Sequence, residues 1–135
     1  MSAYAERLSV RSSKREQSID VTEQVREAVQ KSHVRRGLCL IYVQHTTAGV
    51  FVNENADPAV LADVFAALRR AVPDDAGYRH AEGNAPAHIR AVMTGASASV
   101  PIEDGDLALG RWQGVFLVDF DGPRERHFSV TVIGD

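Results

Sequence analysis

Residues 57–73 carry the feature that most constrains this chain: a helix with both ends marked in the sequence. Asp57 stands where a carboxylate can accept from the unpaired backbone N–H groups of a first turn. Pro58 takes the first helical position, where a missing N–H costs nothing. Val60, Leu61, Val64, Phe65 and Leu68 then recur at helical spacing until Pro73 ends the run. A second long helix is expected after Asp20, with Glu23 completing a capping box, Val21, Val25, Ala28 and Val29 as its apolar stripe and Gly37 as its stop. A short third helix spans 85–94. It is capped by Asn84, turns Ile89, Val92 and Met93 inward and stops at Gly95.

Between the helices the chain reads as strands. Residues 6–13 and a short return at 16–20 come first. "LCLIYV" at 38–43 reads as a central strand buried on both faces. Residues 50–54 follow, then "ASASVPI", "LALGRWQGVFLVDF" and "RHFSVTVIG", divided by the turns "EDGD" and "DGPR". The order β-β-α-β-β-α-α-β-β-β argues for an α+β fold rather than a doubly wound parallel sheet. We expect one domain over 1–135: a mostly antiparallel sheet or sheets, with two long helices and one short helix packed on it. "GVFLVDF" and "FSVTVIG" present more apolar surface than two long helices cover, so neighbouring subunits are expected to cover the rest.

Composition excludes several function classes. A formal charge of -3 on 135 residues gives no basic footprint for nucleic acid. No apolar run approaches the roughly 20 residues of a membrane span, and the first residues hold no signal-peptide core. The single cysteine, Cys39, fits a reducing cytoplasm. It lies mid-strand in an apolar run and reads as packing. No nucleophile elbow and no phosphate-cradling glycine loop is present.

Polar groups gather at three element ends. In "QHTTAGVFVNEN", His45 ends a strand, Thr46 and Thr47 follow, and Asn53 and Glu54 close the next strand, so the two ends are expected to lie close. In "YRHAEGNAPAHIRAVM", His80, Glu82, Asn84 and His88 cluster where the third helix begins. "LGRWQG" and "FDGPRER" offer Trp112, Gln113, Arg124 and Arg126. Each has a plain alternative: a strand-end hydrogen bond for His45, helix capping for Asn84, solvation for His80 and Glu82, core packing for Trp112. Imidazoles with a carboxylate are what a zinc-like ion selects, yet their spacing matches no standard zinc motif. Histidines beside a helix N-terminus and an arginine equally favour an anion such as phosphate.

"HTTAGVFVNENADP", "YRHAEGNAPAHIRAVMTG" and "SVPIEDGDLALGRWQGVFLVDFDGPRERHFSVTVIG" together resemble the YjbQ family (UPF0047), the secondary thiamine-phosphate synthase type. The resemblance covers almost the whole chain and is weakest before residue 37; Arg111 stands where the family usually has Thr. It implies a compact α+β homotrimer. It also implies a pocket near a subunit boundary, in which His45, His80, His88 and Glu54 are catalytic candidates. Thr46, Thr47, Asn53, Asn84, Gln113 and Arg124 are the substrate-binding candidates. A divalent ion is expected, either zinc-like at His45, His80 and His88 or magnesium with a diphosphate substrate. The implied activity condenses a pyrimidine diphosphate with a thiazole phosphate; the alternative is a non-catalytic trimer that binds metal or phosphate.

Overall fold

The computed structural model describes residues 1–135. It holds eight strands and three helices in the order β1 (Ser2–Arg11), β2 (Gln17–Asp20), α1 (Thr22–Ser32), β3 (Gly37–Val43), β4 (Ala48–Glu54), α2 (Pro58–Ala71), α3 (Ala85–Thr94), β5 (Ser97–Glu103), β6 (Asp106–Leu107), β7 (Gln113–Asp119) and β8 (Glu125–Gly134). Every strand pairing is antiparallel. The strands form two sheets, β1-β8-β3-β5-β6 and β2-β7-β4.

Alternation decides which face each strand buries. Cys39, Ile41 and Val43 of β3, Val100 and Ile102 of β5, and Phe128, Val130 and Val132 of β8 face inward. They meet Val115 and Leu117 of β7, Val50 of β4 and the Val25–Val29 stripe of α1 in one core. Each such side chain contributes about 1.5–3 kcal/mol relative to exposure. The second face of the three-stranded sheet packs through Val118 and Phe120 against Ala87 and Ala91 of α3, joined by Phe65 and Leu68 of α2. The molecule is thus layered, with five strands outermost on one side and α2 and α3 on the other.

The expected helix ends hold in part. Asp57 accepts from the Ala59 N–H at 2.9 Å, and Pro58 opens α2. Asp20 accepts from the Thr22 N–H at 2.9 Å, but Val21 is the boundary residue of α1 and Glu23 pairs with Arg26 instead of closing a capping box. The "EDGD" turn joins β5 to β6, with Asp104 and Gly105 both at positive φ (51° and 79°), the geometry of a tight two-residue hairpin.

Four expectations fail for identifiable reasons. β2 is no return strand: β1 pairs with β8 and β2 with β7, so the turn after Arg11 passes the chain between sheets. β3 is buried on one face only, with Leu38, Leu40 and Tyr42 exposed at 41, 37 and 46 %. α3 is rotated from its expected setting. Ile89, Val92 and Met93 point outward, while Ala87, Ala91 and Arg90 face the protein. Small alanines let the helix lie close on the sheet, and the Arg90 Nη groups donate there to Glu16, Asp74 and the Val72 carbonyl. Trp112 is exposed, carrying the Arg111 guanidinium over its ring, because β7 begins only at Gln113.

β4 and the end of α3 touch directly. A Cβ on Gly49 would meet the Gly95 carbonyl oxygen at 2.7 Å and the Thr94 side chain at 2.9 Å. The same carbonyl accepts from the Val50 N–H at 3.1 Å, and that of Ala96 from Val43 at 2.8 Å. The C-terminus of α3 is thereby pinned between β3 and β4.

Candidate functional site

Four segments converge at one end of the layers: the β3–β4 connection with His45 and Thr46, the first turns of α3 with Asn84 and His88, the loop before α3 with His80, and the β7–β8 connection with Asp121 and Arg124. His45 and His88 line one open cavity of about 490 Å³ together with Thr46, Ala48, Ala91 and Val92. His80 and His88 line a second, of about 280 Å³, with Ala85 and Ile89. Their rings lie edge to face with centroids 5.0 Å apart. His88 therefore links the other two imidazoles, which come from segments remote in sequence.

His45 is fixed from behind. β3 pairs with β8 as far as Val43 opposite Phe128. The next N–H of β8, that of His127, donates to His45 Nε2 at 2.8 Å. The two imidazoles stack at 6.0 Å and 16°. Burial first, then the charges of Arg126 and His127, hold the His45 imidazole below its ordinary pKa, with Asp119 opposing and Arg124 adding to the shift. His45 is therefore neutral at neutral pH.

Beneath it lies a buried ion pair. Arg126 Nη2 donates to Asp119 Oδ1 at 2.6 Å and to Thr47 Oγ1 at 2.8 Å. Ser12 Oγ donates to Asp119 Oδ2 at 2.6 Å, and the Asp121 N–H to Oδ1 at 2.8 Å. Thr47, expected at the substrate, is instead buried in this network. Asn84 makes no side-chain cap; its Nδ2 donates to Asp121 Oδ2 at 3.0 Å. Arg124 reaches the same carboxylate at 3.1 Å and is half exposed. The N-terminus of α3 has few free donors, since Pro86 lacks an N–H and those of Ala87 and His88 go to the Asn84 carbonyl.

Asn53, Glu54 and Gln113 lie elsewhere. β4 pairs with β7, not with β3, so Ala48 is opposite Asp119 beside the histidines and Glu54 is opposite Gln113 at the far end. Six residue steps separate those ends, roughly 20 Å. Glu54 there accepts from the Asp57 N–H, and Gln113 from the Gly110 N–H. A polar hollow of about 490 Å³ adjoins Gln113, Asn55 and Arg26, but Arg26 is already paired with Glu23 and Asp106. The three histidines lie at the other end, around the two cavities described above.

The three-histidine metal set does not fit one chain. A backbone N–H can only donate, so the Nε2 lone pair of His45 is spent on His127. No three His, Cys, Asp or Glu side chains come together in a geometry able to hold an ion. Glu82 lies 3.8 Å from His80.

Asp119, Ser12 and His127 were not among the residues expected at the site, and Arg126 was noted without a role. Two signals were available. A carboxylate within the apolar run "GVFLVDF" needs a buried partner. Arg126 also shares the inward register of Phe128, Val130 and Val132 on β8.

A family model described as UPF0047 protein YjbQ-like matches residues 6–135. The chain belongs to the YjbQ family. Among YjbQ relatives, UPF0047 protein MJ1081 of Methanocaldococcus jannaschii is 44 % identical over 93 % of this chain and 91 % of its own. UPF0047 protein YugU of Bacillus subtilis is 41 % identical over 94 % and 97 %. The crystal structure of a protein of unknown function from Sulfolobus solfataricus superposes with a TM-score of 0.94 at 34 % identity, covering 98 % of both chains. That of an uncharacterised YjbQ/UPF0047 protein from Clostridium acetobutylicum superposes at 0.93 and 43 % identity, covering 95 % and 99 %. The α+β fold with antiparallel sheets is thus that of the YjbQ structures.

The lone thiol of this YjbQ chain takes no part in the site. Cys39 is fully buried, and burial pushes its pKa up to about 12. We expect a thiol-specific disulfide reagent to leave the native protein untouched and to react with one equivalent after unfolding. Stoichiometric reaction in the native state would contradict this.

Proposed function

We propose that this protein is an enzyme acting on a small phosphorylated heterocycle, in the manner of a thiamine-phosphate synthase. The carrying observation is the shared cavity of His45 and His88, with His80 against His88 and the Arg124 charge felt at His45. At about 490 Å³ it has the size of a small-molecule site. In the condensation, a thiazole ring nitrogen attacks the methylene carbon of the pyrimidine. The carbon–oxygen bond to the diphosphate breaks and its electron pair leaves with pyrophosphate. The nucleophile gives up no proton, so the protein's task is to hold the leaving oxygens. Imidazole N–H groups and a half-exposed arginine suit that task. Magnesium that accompanies a diphosphate takes oxygen ligands and belongs with the substrate. The test is pyrophosphate release from the two phosphorylated precursors. Turnover above the uncatalysed rate supports the reading. Phosphate binding without turnover supports the alternative, a non-catalytic trimer that binds metal or phosphate.

A homotrimer and a cytoplasmic location belong to the same reading. Leu38, Leu40, Tyr42 and Ile133 expose an apolar face on the outer sheet, which a second copy would cover. Light scattering should give three times the 14.7 kDa chain mass; the mass of one chain would contradict it.

A further inference from the structure

We infer that His45 is a positioning-fixed hydrogen-bond donor: the backbone N–H of His127 locks its ring in the Nδ1–H tautomer, and Nδ1–H donates to an anionic phosphate oxygen of the ligand. The inference rests on the phosphorylated-ligand reading above and assigns one contact within it. The lock is built into the sheet. β3 ends at Val43, one residue pair before the His127 N–H would need a strand partner, and the imidazole takes the place of that partner. Nε2 is thereby an acceptor, and a neutral ring with Nε2 as acceptor carries its proton on Nδ1.

The charged and titratable groups around the ring maintain this state. Arg126 lies behind it, His127 stacks on it, Arg124 adds positive charge and Asp119 opposes them from within the Arg126 pair. His127 is itself engaged with Glu125 at 3.2 Å. His45 Nδ1 has no hydrogen-bond partner in the chain, while the half-buried ring lines the cavity that it shares with Thr46 and His88. An N–H donor held by a strand is preorganised for an oxyanion and costs little reorganisation when one arrives. The same lock removes His45 as a metal ligand, since the nitrogen that would coordinate carries the proton.

Nitrogen-15 correlation spectra of the histidine side chains in the full-length protein test this directly. The His45 signals are assigned by their loss in His45→Asn. The expected pattern at neutral pH is a protonated, pyrrole-type Nδ1 and a pyridine-type Nε2, with the Nδ1 proton moving on addition of pyrophosphate. An Nε2–H tautomer overturns the inference, as does pyrophosphate that shifts His80 and His88 but leaves His45 still. A donor role also predicts partial rescue. His45→Asn, whose amide can donate, should bind pyrophosphate more tightly than His45→Ala, which should lose about tenfold to a hundredfold in affinity. Equal loss in both variants counts against donation. None of these readouts needs turnover, so failure of the synthase activity and failure of this contact are told apart.

Discussion

Asp119→Ala is expected to destabilise the fold by about 3–5 kcal/mol, because it strands a buried cation. Arg126 is 1 % exposed and Asp119 is fully buried, and they meet at 2.6 Å. Removing the carboxylate also strips Ser12 and the Asp121 N–H of their acceptor. Urea denaturation with circular dichroism measures the loss; a change under 1 kcal/mol would show that the pair is not what holds the β7–β8 connection. The pair predicts a pH dependence as well. Burial alone would raise the Asp119 pKa, but hydrogen bonds from Arg126, Ser12 and the Asp121 N–H, with the Arg126 charge, outweigh it and leave the value depressed. A depressed carboxyl contributes stability that is fully present above its unfolded pKa, about 3.9. That contribution is lost as the pH falls from there through the folded value. Acid unfolding should therefore steepen below about pH 4 in the wild type, with that part of the slope missing in Asp119→Ala.

His88→Ala should separate chemistry from stability. His88 makes no side-chain hydrogen bond within the chain, yet it stands between His45 and His80 and lines both cavities. Loss of one hydrogen-bond donor to the leaving oxygens lowers turnover by about 10²- to 10³-fold. A half-buried side chain without partners costs the fold little, within about 0.5 kcal/mol. The expected result is pyrophosphate release near background with an unchanged denaturation midpoint. A rate within threefold of wild type would remove His88 from the mechanism and leave a ligand-binding hollow.

Much of the architecture was legible because it is local. Asp57, Pro58 and Pro73 state where α2 begins and ends, and the Asp-Gly of "EDGD" states a hairpin. What periodicity could not give is the facing of elements. β3 and α3 carry apolar residues on two sides, and pattern alone assigned burial to residues that point outward. In α3 the deciding residues are alanines, which carry little hydrophobic signal but allow close approach. The site divided in the same way. His45, His80 and His88 could be read as chemistry-bearing, and so could Asn84 and Arg124. That Glu54 and Asn53 sit far from them follows from β4 choosing β7 over β3, a long-range pairing that spacing does not encode. The clamp on His45 was hidden for another reason: its donor is a backbone N–H, which every sequence position but proline offers alike.

The seat of α3 on β4 sets the aperture of the site. With Gly49 against the Gly95 carbonyl at one end and Ala87 and Ala91 beneath, the gap between His45 and His88 is measured out by hydrogens and methyl groups. These act as shims: thickening one by a methylene would swing the His88 jaw of the cleft without changing a polar side chain. Which ligand dimensions are admitted is thus governed by the least chemical residues in the neighbourhood.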